Sequence, residues 1–184
     1  MVNGIKMSLI RRKNGFLLGE ETIKIVIAVI CIVFLVYLLV SLYASKVSNE
    51  KKKQADALLK DSESASFKVI MERVKNGQGT SGGNAEERLI HNPKGWLILS
   101  YSGGEVKPNL CLNKNCLCIC EEAGDFSLGA LSTSKEERQA SECDDGGSCL
   151  VVDDLMDSPD IKITVATDII IQYQGGIFVR ENGP

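Results

Sequence analysis

The sequence predicts an α+β protein: a long N-terminal transmembrane helix followed by a small, mostly antiparallel, disulfide-stapled domain. Three observations carry this prediction. A long apolar run occupies residues 25–43 and is broken only by Ser41. Six of the seven cysteines lie far beyond it, between positions 111 and 149. The C-terminal half holds short β-rich runs separated by Gly and Asp clusters, the pattern of paired strands joined by tight turns.

The apolar run sets the topology. As a helix it covers about 28 Å, close to the hydrocarbon thickness of a bilayer. Ahead of Glu20 stand Lys6, Arg11, Arg12 and Lys13 with no acid, whereas 22 acidic face 16 basic residues beyond Tyr43. Basic flanks stay on the cytoplasmic side. The N-terminus is therefore expected inside the cell membrane and everything beyond Ser45 outside, in a single pass with membrane lipid as the first partner. An acidic exterior argues against nucleic acid as a partner, because that partner demands a basic face. The expected organisation is a basic cytoplasmic leader over 1–15, open to cleavage, a long helix over 16–76, a Gly-rich linker with a short helix over 77–94, and an extracytoplasmic α+β domain over 95–184.

The segment leading into the membrane admits three readings. A cleaved secretory signal needs an apolar core of roughly 7–15 residues and a small-residue cleavage site. This run is longer and ends Leu42-Tyr43-Ala44-Ser45, which fits that reading worst. A plain signal anchor needs only basic residues, a spanning helix and an exterior domain. The third reading rests on the junction Lys13-Asn14-Gly15-Phe16-Leu17-Leu18-Gly19-Glu20. It resembles the processing site of type IV pilins and pilin-like proteins, the class III signal peptide, in which a basic leader ends in Gly and the mature chain starts with Phe and carries Glu fifth. Gly15, Phe16 and Glu20 occupy those positions. The resemblance covers the leader and the first helix, about thirty residues. It implies cleavage after Gly15 by a prepilin-type peptidase. It also implies assembly with identical or related subunits, the Glu20 carboxylate meeting the freed amine of a neighbour's Phe16. A buried charge is costly unless paired, so such a carboxylate helps to set register. Two residues depart from the pattern: Glu21 adds a second acid, and Lys24 lies one helical turn beyond Glu20, where it can pair with either acid on one face or snorkel to the headgroups.

Beyond Ser45 the helix is expected to continue. Residues 46–75 contain no Pro or Gly and are rich in good helix formers. Leu58, Leu59, Ala65, Val69 and Ile70, widened by Phe67, Met71 and Val74, give an apolar stripe at helical spacing. The heptad is too irregular for a coiled coil, so the stripe is expected to pack on its own domain. Asn76-Gly77 ends the helix, and Gly77, Gly79, Gly82 and Gly83 make a flexible linker. Asn84 is expected to cap a short helix reaching Ile90. His91, the only histidine, has no second imidazole or nearby cysteine and reads as a surface residue.

Strand signals follow at Trp96-Leu97-Ile98-Leu99-Ser100-Tyr101 and at Cys116-Leu117-Cys118-Ile119-Cys120. In the second, alternation places the three cysteines on one face and Leu117 and Ile119 on the other. The natural partners of Cys116, Cys118 and Cys120 are Cys111, Cys143 and Cys149. An even number of cysteines in a small exterior domain is a disulfide framework, and fifteen pairings remain open. Cys31 is a small hydrophobe within the apolar run. Zinc sites use paired Cys-x2–4-Cys spacings, whereas Cys-x-Cys-x-Cys on a strand splays its ligands. No metal and no cofactor are therefore expected.

Ser134-Lys135-Glu136-Glu137 is a capping box opening a short helix toward Ala140. The stretch from Cys143 to Cys149 reads as a turn clipped by a disulfide. Asp144, Asp145, Asp153, Asp154, Asp157 and Asp160 read as a solvated acidic rim, since their spacing fits no EF-hand. Ile161, Ile163 and Val165 alternate as a strand, and Ile169-Ile170-Ile171 and Ile177-Phe178-Val179 flank Gly175-Gly176 as a hairpin. There is no phosphate loop, no nucleophile elbow, and no Ser-His-Asp or Cys-His arrangement to argue. No catalytic residue is assigned, and the chain is expected not to be an enzyme.

The exterior cysteine pattern is also loosely similar to that of short single-pass membrane proteins of archaea, a resemblance that supplies no function. The function expected is that of a membrane-anchored, pilin-like subunit assembling through its apolar helix. Two alternatives stand beside it: a single-pass surface or binding module that does not assemble, and, more distantly, a membrane-tethered redox or metal-binding protein.

Overall fold

The computed structural model describes residues 14–62, 65–124 and 134–183, with side chains from residue 21 onward. The basic leader carrying Lys6, Arg11, Arg12 and Lys13 lies outside the described residues. The chain divides into two units, 1–46 and 47–184.

The first unit holds most of helix α1 (Asn14–Lys60). The part of α1 from Glu21 onward is long and apolar enough to cross a membrane. Its side chains from Glu21 to Leu42 are exposed on every face.

In the second unit, the last turns of α1 bury Ala55 and Leu59. The chain then breaks, and α2 (Phe67–Lys75) begins. The single helix expected over 46–75 is therefore two. The reason lies in the connecting residues. Asp61, Ser62 and Ser66 compete for backbone hydrogen bonds outside a helix. Ser66 serves both ends of the break: its hydroxyl donates to the Asp61 carbonyl at 2.5 Å and accepts from the Val69 N–H at 3.4 Å as the N-cap of α2. The apolar stripe does pack on its own domain, for Leu59, Phe67, Ile70, Met71 and Val74 are all buried in one cluster.

Among the described residues seven strands follow: β1 (Ala85–Ile90), β2 (Trp96–Tyr101), β3 (Cys116–Glu121), β4 (Ser148–Val151), β5 (Ile161–Lys162), β6 (Thr167–Tyr173) and β7 (Ile177–Glu181), with α3 (Lys135–Gly146) between β3 and β4. They form two antiparallel sheets, ordered β1-β6-β7 and β4-β3-β2-β5. The main core joins both sheets to the helices. It contains Trp96, Ile98, Leu117 and Ile119 from one sheet, Ile169, Ile171, Ile177 and Val179 from the other, and the buried faces of α1 and α2.

The short helix expected from Asn84 is instead β1, paired with β6 from Ala85↔Gln172 to Ile90↔Thr167. The sequence Ala-Glu-Glu-Arg-Leu-Ile has helical propensity, but tertiary pairing overrides it. Its period of two is disguised, because an acid occupies an inward position. Glu86 is buried and paired at 2.8 Å with Arg73 of α2.

Three further expectations change. The strand expected through Val165 is only Ile161–Lys162, and Val165 is exposed. The helix opened by Ser134 has its full capping box but runs past Ala140 to Gly146. Cys143 consequently lies in a helix rather than in a turn closed onto Cys149. Gly147 is required there by close approach: an added Cβ would meet the Cys120 Cβ at 2.6 Å and the Cys143 carbonyl oxygen at 2.8 Å. The Gly175-Gly176 hairpin between β6 and β7 is present as read.

Candidate functional site

The sequence-singled residues fall in two places. Gly15, Phe16 and Glu20 lie in the first turns of α1, and their side chains lie outside the description. Lys24 is exposed on α1. Between Ile25 and Tyr43, every large apolar side chain is 39–72% exposed. For a soluble chain such a surface is far too large to leave in water. It is the feature of the first unit that demands a partner.

The second place is the cysteine face of β3. Because side chains alternate along a strand, Cys116, Cys118 and Cys120 point away from the main core, while Leu117 and Ile119 enter it. Leu97, Leu99 and Tyr101 of β2 lie opposite Cys120, Cys118 and Cys116 on that face. Three disulfides form: Cys111–Cys116, Cys118–Cys149 and Cys120–Cys143. Each strand cysteine thus takes one partner from the other three, as the alternation requires. The Cys118–Cys149 bond runs directly across the β3–β4 ladder. Cys31 stays free and exposed.

Polar groups hold this layer. Asp144 accepts from the backbone N–H of Asn109 and of Leu110, both at 3.0 Å, and from the Asn109 side chain at 2.8 Å. It pins the 3-10 turn that carries Cys111. Gln139 of α3 accepts from the Ala123 N–H at 2.8 Å and donates to the Glu121 carbonyl at 2.8 Å, tying α3 to the end of β3. The Tyr101 hydroxyl lies 3.6 Å from Cys143 Sγ and can only donate to a disulfide sulfur. Burial, then the nearby carboxylates of Asp160, Glu105 and Asp144, push the Tyr101 phenol up, so it stays neutral.

Beside the layer is a cavity of about 500 Å³ with Leu97, Leu99 and Val106 on its apolar wall. Glu105, Glu136 and Asp160 give it an acidic rim relieved by Lys135. Burial, then the Asp157 carboxylate, holds Glu105 above the ordinary range. Burial also raises Asp160, with Asp157 adding to it against the opposing pull of Lys135. Sequence reading placed Asp157 and Asp160 in a solvated rim. It missed Tyr101, Glu105 and Gln139, and only the strand and helix packing could bring these together.

Two more acids of the expected rim form ion pairs. Asp154 pairs with Lys75 at 2.6 Å, and Asp153 with Lys114 at 3.5 Å. His91 is exposed, its Nδ1 donating to the Val165 carbonyl at 2.7 Å. Comparison with known proteins gives no family model, no curated relative and no solved structure that matches this chain.

Proposed function

We propose that this chain is a membrane-anchored, pilin-like subunit, held in the bilayer by α1 and assembling through it. The observation that carries the proposal is the continuous exposed apolar surface of α1 between Ile25 and Tyr43. Lipid covers such a surface before assembly, and the same surface on neighbouring subunits covers it afterwards. The Gly15-Phe16 junction with Glu20 supplies the means of release: cleavage on the cytoplasmic side removes the basic leader and leaves the helix intact. Three disulfides suit a domain that folds outside the cytoplasm. On this reading the second unit is displayed, and no residue in it is assigned a catalytic role.

The test is the intact mass of the protein extracted from membranes. A mature chain beginning at Phe16 supports the proposal. A chain that retains Arg11, Arg12 and Lys13 overturns it.

A second reading, a tether that does not assemble, is favoured by Lys24. A cation one turn beyond Glu20 offers that carboxylate a partner in its own chain and leaves it less to offer a neighbour. Crosslinking between cysteines placed at exposed α1 positions separates the readings, since only an assembling subunit yields a ladder of multimers.

A further inference from the structure

Four of the six disulfide cysteines form a tighter group than two independent staples require. Cys111 comes from the 3-10 turn, Cys116 and Cys118 from one face of β3, and Cys149 from β4 opposite Cys118. All four are buried, and their Sγ atoms lie within 4.8 Å of one another. Cys118 Sγ is 3.7 Å from both Cys111 Sγ and Cys116 Sγ. Disulfide sulfurs carry no proton, so these are van der Waals contacts between two touching bridges. A tetrahedral zinc tetrathiolate, with Zn–S bonds of about 2.3 Å, separates its sulfurs by about 3.8 Å. The contacts of Cys118 across the two bridges therefore already stand at nearly the spacing that one such ion imposes, and the two bonded pairs, once reduced, need only part to the same distance. Among the described residues no carboxylate or imidazole belongs to the group, so the four thiolates are a purely soft donor set.

The sequence spacing argued against a metal because it considers the strand alone, where three cysteines in a row splay. The fold takes only two ligands from the strand and adds one from each neighbouring element. Cys120, bonded to Cys143, stays out of the group.

We propose that, in the reduced chain, Cys111, Cys116, Cys118 and Cys149 bind one thiophilic divalent cation of the zinc class. The quartet then exchanges between two disulfides and one metal tetrathiolate. Two equivalents of a dithiol reductant supply four electrons and four protons, converting the two disulfides to four thiols and becoming two disulfides themselves. Binding the cation releases those four protons and leaves a centre of net charge −2. In the reverse direction, two equivalents of a small-molecule disulfide accept four electrons, the sulfurs re-pair, and the cation leaves. The proposal is independent of assembly, because every ligand lies in the second unit.

The test uses the full chain in detergent, reduced anaerobically with a phosphine and titrated with Co²⁺ as a spectroscopic stand-in for Zn²⁺. The expected result is one Co²⁺ per chain with the intense visible bands of tetrahedral cobalt and sulfur-to-cobalt charge transfer, both abolished by Zn²⁺ and by oxidised glutathione. Cys118→Ser should weaken binding by more than tenfold, since losing a ligand costs more than the roughly 10–100-fold lost with an outer partner. The Cys120→Ala/Cys143→Ala variant should keep the spectrum unchanged. A pale octahedral spectrum, unchanged binding in Cys118→Ser, or bands lost with Cys120 and Cys143 would each overturn the proposal. Loss of bands with that control pair counts only if Trp96 fluorescence reports a folded chain, and Cys120→Ala alone replaces it otherwise.

Discussion

The disulfides are nested, and nesting makes a quantitative prediction. Cys118–Cys149 closes a loop of 31 residues, and within it Cys120–Cys143 closes one of 23. Taken alone, the chain-entropy model gives these loops about 3.7 and about 3.4 kcal/mol. They are not alone. With the inner bridge in place, the outer one closes only the two steps from Cys118 to Cys120 and the six from Cys143 to Cys149. A ring of about eight residues is worth about 2.5 kcal/mol. Both bridges together are then worth about 6 kcal/mol, and removing the inner one alone costs about 2. The double removal should therefore exceed the sum of the two single removals by about 1 kcal/mol. The perturbations are Cys118→Ala/Cys149→Ala, Cys120→Ala/Cys143→Ala, and all four together. The packing lost with each sulfur enters both routes round the cycle. The assay is urea unfolding of the detergent-solubilised chain, followed by the fluorescence of Trp96, the single tryptophan and a buried one. Thiol titration of the wild-type chain without reductant should first return one free group, Cys31. If the outer pair alone costs its full isolated-loop value and the cycle closes additively, the bridges are not nested and the pairing described above is wrong.

Three other outcomes are expected. Ser134→Ala should destabilise the second unit by about 1 kcal/mol through loss of the capping box, with Ser134→Gly losing less in the same urea titration; equal losses would remove the cap from the account. Burial alone would raise Asp56, but the Ser148 hydroxyl and Lys60 outweigh it and hold the carboxyl below its ordinary range. Its contribution is thus present above the unfolded pKa and lost as pH falls through the lower folded value. Ser148→Ala should cost about 1 kcal/mol or less at neutral pH, since Asp56 is half-exposed, and that cost should shrink on acidification; a pH-independent loss refutes the pairing. Glu105 and Asp160 have the opposite sign: their raised values mean that stability is gained as pH falls through them. Glu105→Gln with Asp160→Asn should therefore leave the chain equally or slightly more stable at neutral pH, within about 0.5 kcal/mol for surface positions, and a clear loss in thermal unfolding would refute the claim that burial and Asp157 disfavour these charges.

The sequence carried the parts of the fold whose signal is local. The apolar run forms a helix because its length and composition leave no alternative. β3 was legible because strict alternation separates Cys116, Cys118 and Cys120 from Leu117 and Ile119. The α3 start was legible because Ser134 and Glu137 satisfy each other's backbone donors. β1 was not legible. Glu86 occupies an inward position that only Arg73, from another element, makes tolerable. The helix break was hidden for a similar reason: good helix formers flank it, and Ser66 reveals itself as a cap only once the two helix ends meet.

For the candidate site the division is sharper. The Gly15-Phe16 junction with Glu20, and the cysteine set on β3, are properties of neighbours in the chain, and the sequence alone determined them. Which cysteine takes which partner was open among fifteen pairings. It was decided by the register that puts Cys149 across from Cys118 and by the docking of α3 that brings Cys143 to Cys120. The contact between two of the bridges, and the acidic cavity beside Tyr101, come from the same packing. Their residues are far apart in sequence, and alternation along one strand specifies which face a sulfur occupies but not what stands opposite it.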